Sequence, residues 1–256
     1  MSLALAAAIA GSLAFVGRVF GWLTIAGSAT AALVGTVVLA GAGFLGAALL
    51  GMFFVSGSLL TKLSARADQE RLNRQTGGRT PRQVLANGGW AVAGAMVASV
   101  SDLGWPILAG SLAAAQADTW ATEIGAYSRK PTKLITSWQN VPPGTSGGIT
   151  TLGTLGGAMG AVTAAVVTTM SGGTPLVAEA ALLGGLAGMT VDSVVGATLQ
   201  AKYACASCGQ TGEDRVHSCG RRAKRLSGWE WIDNDTVNFI ATGVGAAIAT
   251  AVWAFR

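Results

Sequence analysis

Charge is what this sequence has least of. Asp, Glu, Lys and Arg make up 11% of its 256 residues, less than half the usual ~25%, which excludes an ordinary soluble surface. Histidine occurs once and cysteine three times. All four of these residues lie between Cys205 and Cys219, so a site anywhere else must work without imidazole. Lys and Arg are absent from the connections around Ser101-Asp102 and Ser171-Gly172-Gly173. No basic residue precedes the first apolar run, which argues against a signal peptide and for a segment kept in the mature chain.

What remains is apolar: 51% hydrophobic residues and a mean hydropathy of +0.51. Apolar runs near residues 2–17, 19–40, 42–61, 84–101, 103–121, 147–170, 174–200 and 236–255 mostly approach the ~20 residues of a spanning helix. The expected fold is therefore all-α, a polytopic membrane bundle of about eight transmembrane helices forming one integral domain over 1–256. Two hydrophilic segments interrupt it, a basic loop over 62–83 and a second loop over 201–233. All the Lys and Arg residues except Arg256 fall on one side of this arrangement, which predicts a multi-pass cell-membrane protein with that side facing the cytoplasm. The net charge of +5 sits in these membrane-proximal loops, so anionic lipids and phosphorylated substrates are the expected partners and nucleic acid is not. Glycine and alanine in the first three runs predict close helix packing.

An ionised carboxylate inside a membrane segment costs roughly 3 kcal/mol or more, so acids within the runs mark function. Ala117-Asp118-Thr119-Trp120-Ala121-Thr122-Glu123 holds two, with Asp118 and Thr122 one helical turn apart. That pattern suits a divalent cation bound by carboxylate and hydroxyl oxygens. Asp192 lies at a similar depth in the seventh run, Asn87 in the fourth, and Asp235 and Asn238 at the start of the eighth. Four helices thus bring polar groups to one layer. Thr80-Pro81 signals the start of the fourth helix. Arg79 and Arg82 beside it are phosphate-binding candidates as well as membrane anchors. Gly144-Thr145-Ser146-Gly147-Gly148 reads as a Gly-rich turn opening the sixth helix, a place where amides and the helix terminus attract phosphate, with Lys133 nearby. Cys205, Cys208, His217 and Cys219 have the spacing of a structural zinc knuckle.

The segments at 78–89, 117–125, 144–148, 192–200 and 233–238, in that order along nearly the whole chain, resemble the integral membrane phytyl-phosphate kinase family. That family is similar, more distantly, to CTP-dependent polyprenol kinases and phosphatidate cytidylyltransferases. The resemblance implies transfer of the γ-phosphoryl group of CTP, or another nucleoside triphosphate, to a polyprenyl monophosphate. Asp118, Glu123 and Asp192 would then be catalytic and hold Mg²⁺. Lys133 and Thr145, Ser146, Gly147 and Gly148 would bind phosphate, with Arg79 and Arg82 as further candidates. Asn87, Asp235 and Asn238 would orient substrate or metal, and the prenyl tail would lie among the Gly- and Ala-rich helices. Two alternatives remain at this level, a lipid-phosphate cytidylyltransferase and a cation-coupled transporter, and a homo-oligomer is left open.

Overall fold

The computed structural model describes every residue except 68–76, Cys208, Gln210, Asp214, His217 and Ser218. Helix α1 spans Leu3–Val19, and α2 spans Ile25–Ala67. At ~1.5 Å per residue the 43 residues of α2 would reach about 65 Å, twice a ~30 Å hydrocarbon core. Gly43 breaks it, with φ 56° and ψ −139°. This is a conformation that residues with a Cβ rarely adopt. The two halves fold back side by side: Arg79 touches Thr24 and Gly27 in or beside the first half, and Gly57 and Ser58 in the second.

Helix α3 (Pro81–Ala98) begins with a capping box in which Thr80 Oγ1 accepts from Gln83 N and Gln83 Oε1 accepts from Thr80 N. Such a cap stabilises by about 1 kcal/mol, and Pro81 fits where no N–H is needed. Helix α4 (Gly104–Gly125) is the centre of the bundle, buried continuously from Leu108 to Ala117 and packed against α2, α3, α5 (Thr151–Met170), α6 (Pro175–Thr198) and α7 (Asn234–Ala254). Small residues permit this. A Cβ added at Gly110 or at Gly184 would stand 2.5 Å from the Gly245 carbonyl oxygen, so α4, α6 and α7 meet backbone to backbone.

By length and composition four helical segments among the described residues can cross a membrane: Ile25–Ala65, Thr151–Met170, Pro175–Thr198 and Asn234–Ala254. The expected second and third helices are the two halves of α2, separated at Gly43, so the eight anticipated helices are all found among the described residues, although fewer than eight are long and apolar enough to count as spans. The all-α expectation also needs correction in the loops. Strands β1 (Thr132–Leu134), β2 (Asn140–Val141) and β3 (Gly148–Ile149) form a sheet of order β2-β1-β3. Strands β4 (Lys202–Ala204), β5 (Thr211–Gly212) and β6 (Lys224–Ser227) form a second, of order β5-β4-β6. Two- to four-residue strands leave little periodic signal in a sequence. Their backbone groups pair with one another because apolar helices offer them no partners.

The loops bearing these sheets and the segment before α3 gather at one end of the bundle, tied by Ser146 donating to Glu213 and Arg82 donating to Asp233. At the other end Arg256 pairs with Glu179 at 2.6 Å.

Candidate active site

A cavity of about 770 Å³ opens among the ends of α2, α3, α4, α6 and α7. Seven of the residues singled out in the sequence as functional candidates line it: Arg79, Asn87, Asp118, Thr122, Glu123, Asp192 and Asn238. One wall is acidic. The carboxyls of Asp118 on α4 and Asp192 on α6 lie within hydrogen-bonding reach of each other. Asp192 Oδ2 is buried and has no hydrogen-bond partner among the described residues. Two carboxylates in contact need a proton or a cation between them. Hard oxygens with one of them unsatisfied are a donor set that fits Mg²⁺.

Glu123 is placed differently. It is 7% exposed, accepts from Thr61 Oγ1 at 2.8 Å, and accepts from Ser64 Oγ on the same helical half of α2. Among the described residues no three acidic, histidine or cysteine side chains converge as a metal cluster, so Glu123 does not join the Asp118–Asp192 pair as a third close ligand. It acts on both walls electrostatically, on Asp118 and on Arg79.

The other wall is cationic. Arg79 is held by its backbone, its N–H donating to Trp22 O at 2.9 Å and its carbonyl accepting from Thr24 N at 3.1 Å. Its guanidinium donates to Ser58 Oγ at 3.1 Å and lies over the rings of Phe53 and Phe54, 5.3 and 5.4 Å from their centroids. Burial brings its pKa down to about 10, countered by the Glu123 carboxylate, so it stays charged at neutral pH. Lys62 stands over the Trp22 ring at 5.9 Å at the cavity edge. Trp22 Nε1 is a second buried atom that has no hydrogen-bond partner among the described residues.

The remaining sequence candidates do not line this cavity. Arg82 pairs with Asp233 at 2.8 Å and approaches Asp235 at 3.7 Å, an exposed clamp between the starts of α3 and α7. Lys133 is exposed on β1, between Asn140 and Ile149 of the neighbouring strands. The Gly-rich turn is built for packing. Helix α5 starts at Thr151, capped by Thr150, so a strand intervenes between Thr145-Ser146-Gly147-Gly148 and the helix terminus. The amides of Thr145 and Gly148 donate to Pro142 O and Thr145 O. A Cβ on Gly147 would lie 2.5 Å from Ala197 N and Ser193 O, and Ser146 donates to Glu213. Of the zinc candidates, Cys208 and His217 lie outside the described residues, and the sulfurs of Cys205 and Cys219 are 3.5 Å apart.

Residues that sequence reasoning passed over supply much of the cavity: Trp22, Ser58, Thr61, Lys62, Gln83 and Asn234. A signal was present for three of them. Ser58, Thr61, Lys62 and Ala65 follow the i, i+3, i+4, i+7 spacing of one helical face, a polar stripe at the end of an apolar run. Trp22, before α2, and Asn234, at the first position of α7, have no such pattern.

Protein PGR of Arabidopsis thaliana is 31% identical over 234 residues, covering 78% of this chain and 78% of that protein. Uncharacterized membrane protein MJ0933 of Methanocaldococcus jannaschii is 29% identical over 223 residues, 86% of this chain and 82% of its own length. Protein VTE6, chloroplastic, of Arabidopsis thaliana is 27% identical over 246 residues, 91% of this chain and 66% of its own. No solved structure matches. Residues 8–246 match the family described as "Integral membrane protein DUF92", and the chain, helical and membrane-embedded as that description requires, belongs to it.

Proposed function

We propose that the protein is a lipid-phosphate kinase, transferring the γ-phosphoryl group of CTP or another nucleoside triphosphate to a polyprenyl monophosphate. The observation that carries this is the placing of the Asp118–Asp192 carboxyl pair and the charged Arg79 on separate walls of one cavity at the end of a membrane bundle. Such a cavity receives a cation on one side and a phosphate on the other. The resemblance to the phytyl-phosphate kinase family supports the same reading.

Asp118 and Asp192 would hold Mg²⁺, which when bound neutralises charge on the nucleotide phosphates. Arg79 binds the acceptor monophosphate, with Lys62 and the Trp22 N–H as further donors toward the opening. Glu123, fixed by Thr61 and Ser64, stands between the two walls and orients Arg79. Asn87, Gln83 and Asn238 supply neutral donors and acceptors that orient the two substrates. An oxygen of the prenyl monophosphate attacks the γ-phosphorus. The new P–O bond forms as the bond to the bridging oxygen breaks, and the nucleoside diphosphate leaves with that electron pair. A phosphate monoester is already ionised at neutral pH, so no general base is needed, in keeping with a cavity lined by no histidine among the described residues. We place this end of the bundle in the cytoplasm, where nucleotide is available, on the strength of the basic residues in its loops.

Purified protein incubated with radiolabelled CTP or ATP, Mg²⁺ and a panel of prenyl monophosphates tests the reading. Prenyl diphosphate with nucleoside diphosphate is the expected product pair. Release of pyrophosphate with a nucleotidyl lipid would make it a cytidylyltransferase, and the absence of any nucleotide product would end the enzymatic reading.

A further inference from the structure

Beside the polar cavity lies a second, of about 140 Å³, between α1, the two halves of α2, and α3. Its walls are aliphatic and aromatic, among them Ile9, Leu13, Val34, Leu50 and Phe53, and Arg79 is the single charged residue on it among the described residues. Arg79, Gln83 and Asn87 line both cavities, so the two adjoin at a cation and two amides. On the α1 side Ile9 is 38% and Leu13 60% exposed, which opens the apolar groove sideways to the surrounding lipid. A dry groove open to lipid and ending at a buried guanidinium complements one kind of molecule, an amphiphile with a slender hydrocarbon tail and an anionic head.

We propose that this groove is the tail site of the lipid substrate, and that Gly51 sets the chain length it accepts. The headgroup assignment rests on the kinase reading above; the groove and its limit do not need phosphoryl transfer to occur. Gly51 lines the groove, yet a Cβ built on it meets nothing within 4 Å. A side chain there enters the groove and leaves the helix packing alone. Gly35, also on the wall, is the opposite case: its Cβ would stand 3.0 Å from that of Ala10, so it serves the contact of α1 with α2. Gly51 lies two helical turns, about 10 Å, from Ser58, the residue that holds Arg79. A short tail anchored at Arg79 stops before Gly51, and a long one must pass it.

Equilibrium binding of radiolabelled geranylgeranyl phosphate and isopentenyl phosphate to the purified protein, without nucleotide, decides this. The wild type should bind the long ligand at least about tenfold tighter than the short one, through the extra apolar surface removed from water. Gly51→Phe should erase that preference and leave the short ligand unchanged, and Ile9→Trp, on the facing wall, should do the same should the first variant fail to fold. Unchanged affinity of a folded variant for geranylgeranyl phosphate overturns the proposal, as does equal competition by phosphatidic acid, whose two chains a single groove should not take. Groove-dependent binding with no phosphoryl transfer would sink the kinase reading and leave the tail site standing; transfer to long chains unaffected by Gly51→Phe would do the reverse.

Discussion

Replacing Asp192 by Asn should make the protein more stable and less active at once. The Asp118 and Asp192 carboxyls are in hydrogen-bonding reach, and Asp192 Oδ2 is buried with no hydrogen-bond partner among the described residues. Two unit charges ~4 Å apart at an effective dielectric of ~20 repel by about 4 kcal/mol. That is a ceiling, since a shared proton relieves part of it, and we expect about 1–2 kcal/mol to be recovered when Asn, of the same shape, donates its amide to Asp118. For a chain of this size 1 kcal/mol moves Tm by about 2–4 °C, so metal-free Asp192→Asn should melt about 2–8 °C above the wild type. Mg²⁺ at ~100 times its Kd should stabilise the wild type by about 2.7 kcal/mol and the variant far less. Turnover should fall by ~100-fold or more, the usual consequence of removing one preorganised electrostatic group. Intrinsic fluorescence melts in detergent with chelator or Mg²⁺, beside a radiolabel assay, read all three quantities. A variant that melts at or below the wild-type temperature, responds to Mg²⁺ like the wild type and keeps its turnover would refute the reasoning.

Gly43→Ala should lower stability by about 1–3 kcal/mol through backbone strain alone, because a Cβ at that position meets nothing within 4 Å; a chemical melt with an unshifted midpoint would show that the hinge tolerates other residues. A cysteine introduced at Gly77 should resist an impermeant thiol reagent in intact cells while one at Gly172 reacts, and the reverse pattern would put the cavity outside the cytoplasm. Sulfurs 3.5 Å apart at Cys205 and Cys219 compare with ~3.8 Å for two thiolates on one tetrahedral zinc. We therefore expect about one zinc per chain by elemental analysis of tag-free protein, and Cys208→Ser should lower zinc content and Tm together; metal-free protein with full activity and stability would remove zinc from the account.

Membrane character, the helical segments and the depth of the acids were legible in the sequence because each rests on local composition. An apolar run of about 20 residues makes the same demand whatever surrounds it, since the bilayer leaves its backbone no other partners. Asp118, Asp192, Asn87 and Asn238 could be placed in one layer from their distance to helix ends, and Arg79 could be named because it stands beside the start signal Thr80-Pro81. Partnership was not legible. Arg79 and Arg82 look alike three residues apart, yet the chain reversal at Gly43 brings Ser58, Phe53 and Phe54 under one, while the start of α7 delivers Asp233 and Asp235 to the other. Gly147 looks like a phosphate-binding glycine until α6 packs against it. Glu123 and Asp118 share one stretch of α4, but the second half of α2 reaches Glu123 with Thr61 and Ser64, whereas α6 reaches Asp118 with Asp192. Hydropathy and capping act within a turn or two of the chain. Which charge meets which across 20 to 150 residues is decided when the helices pack, because only then is each carboxylate and guanidinium taken from water and obliged to find a partner.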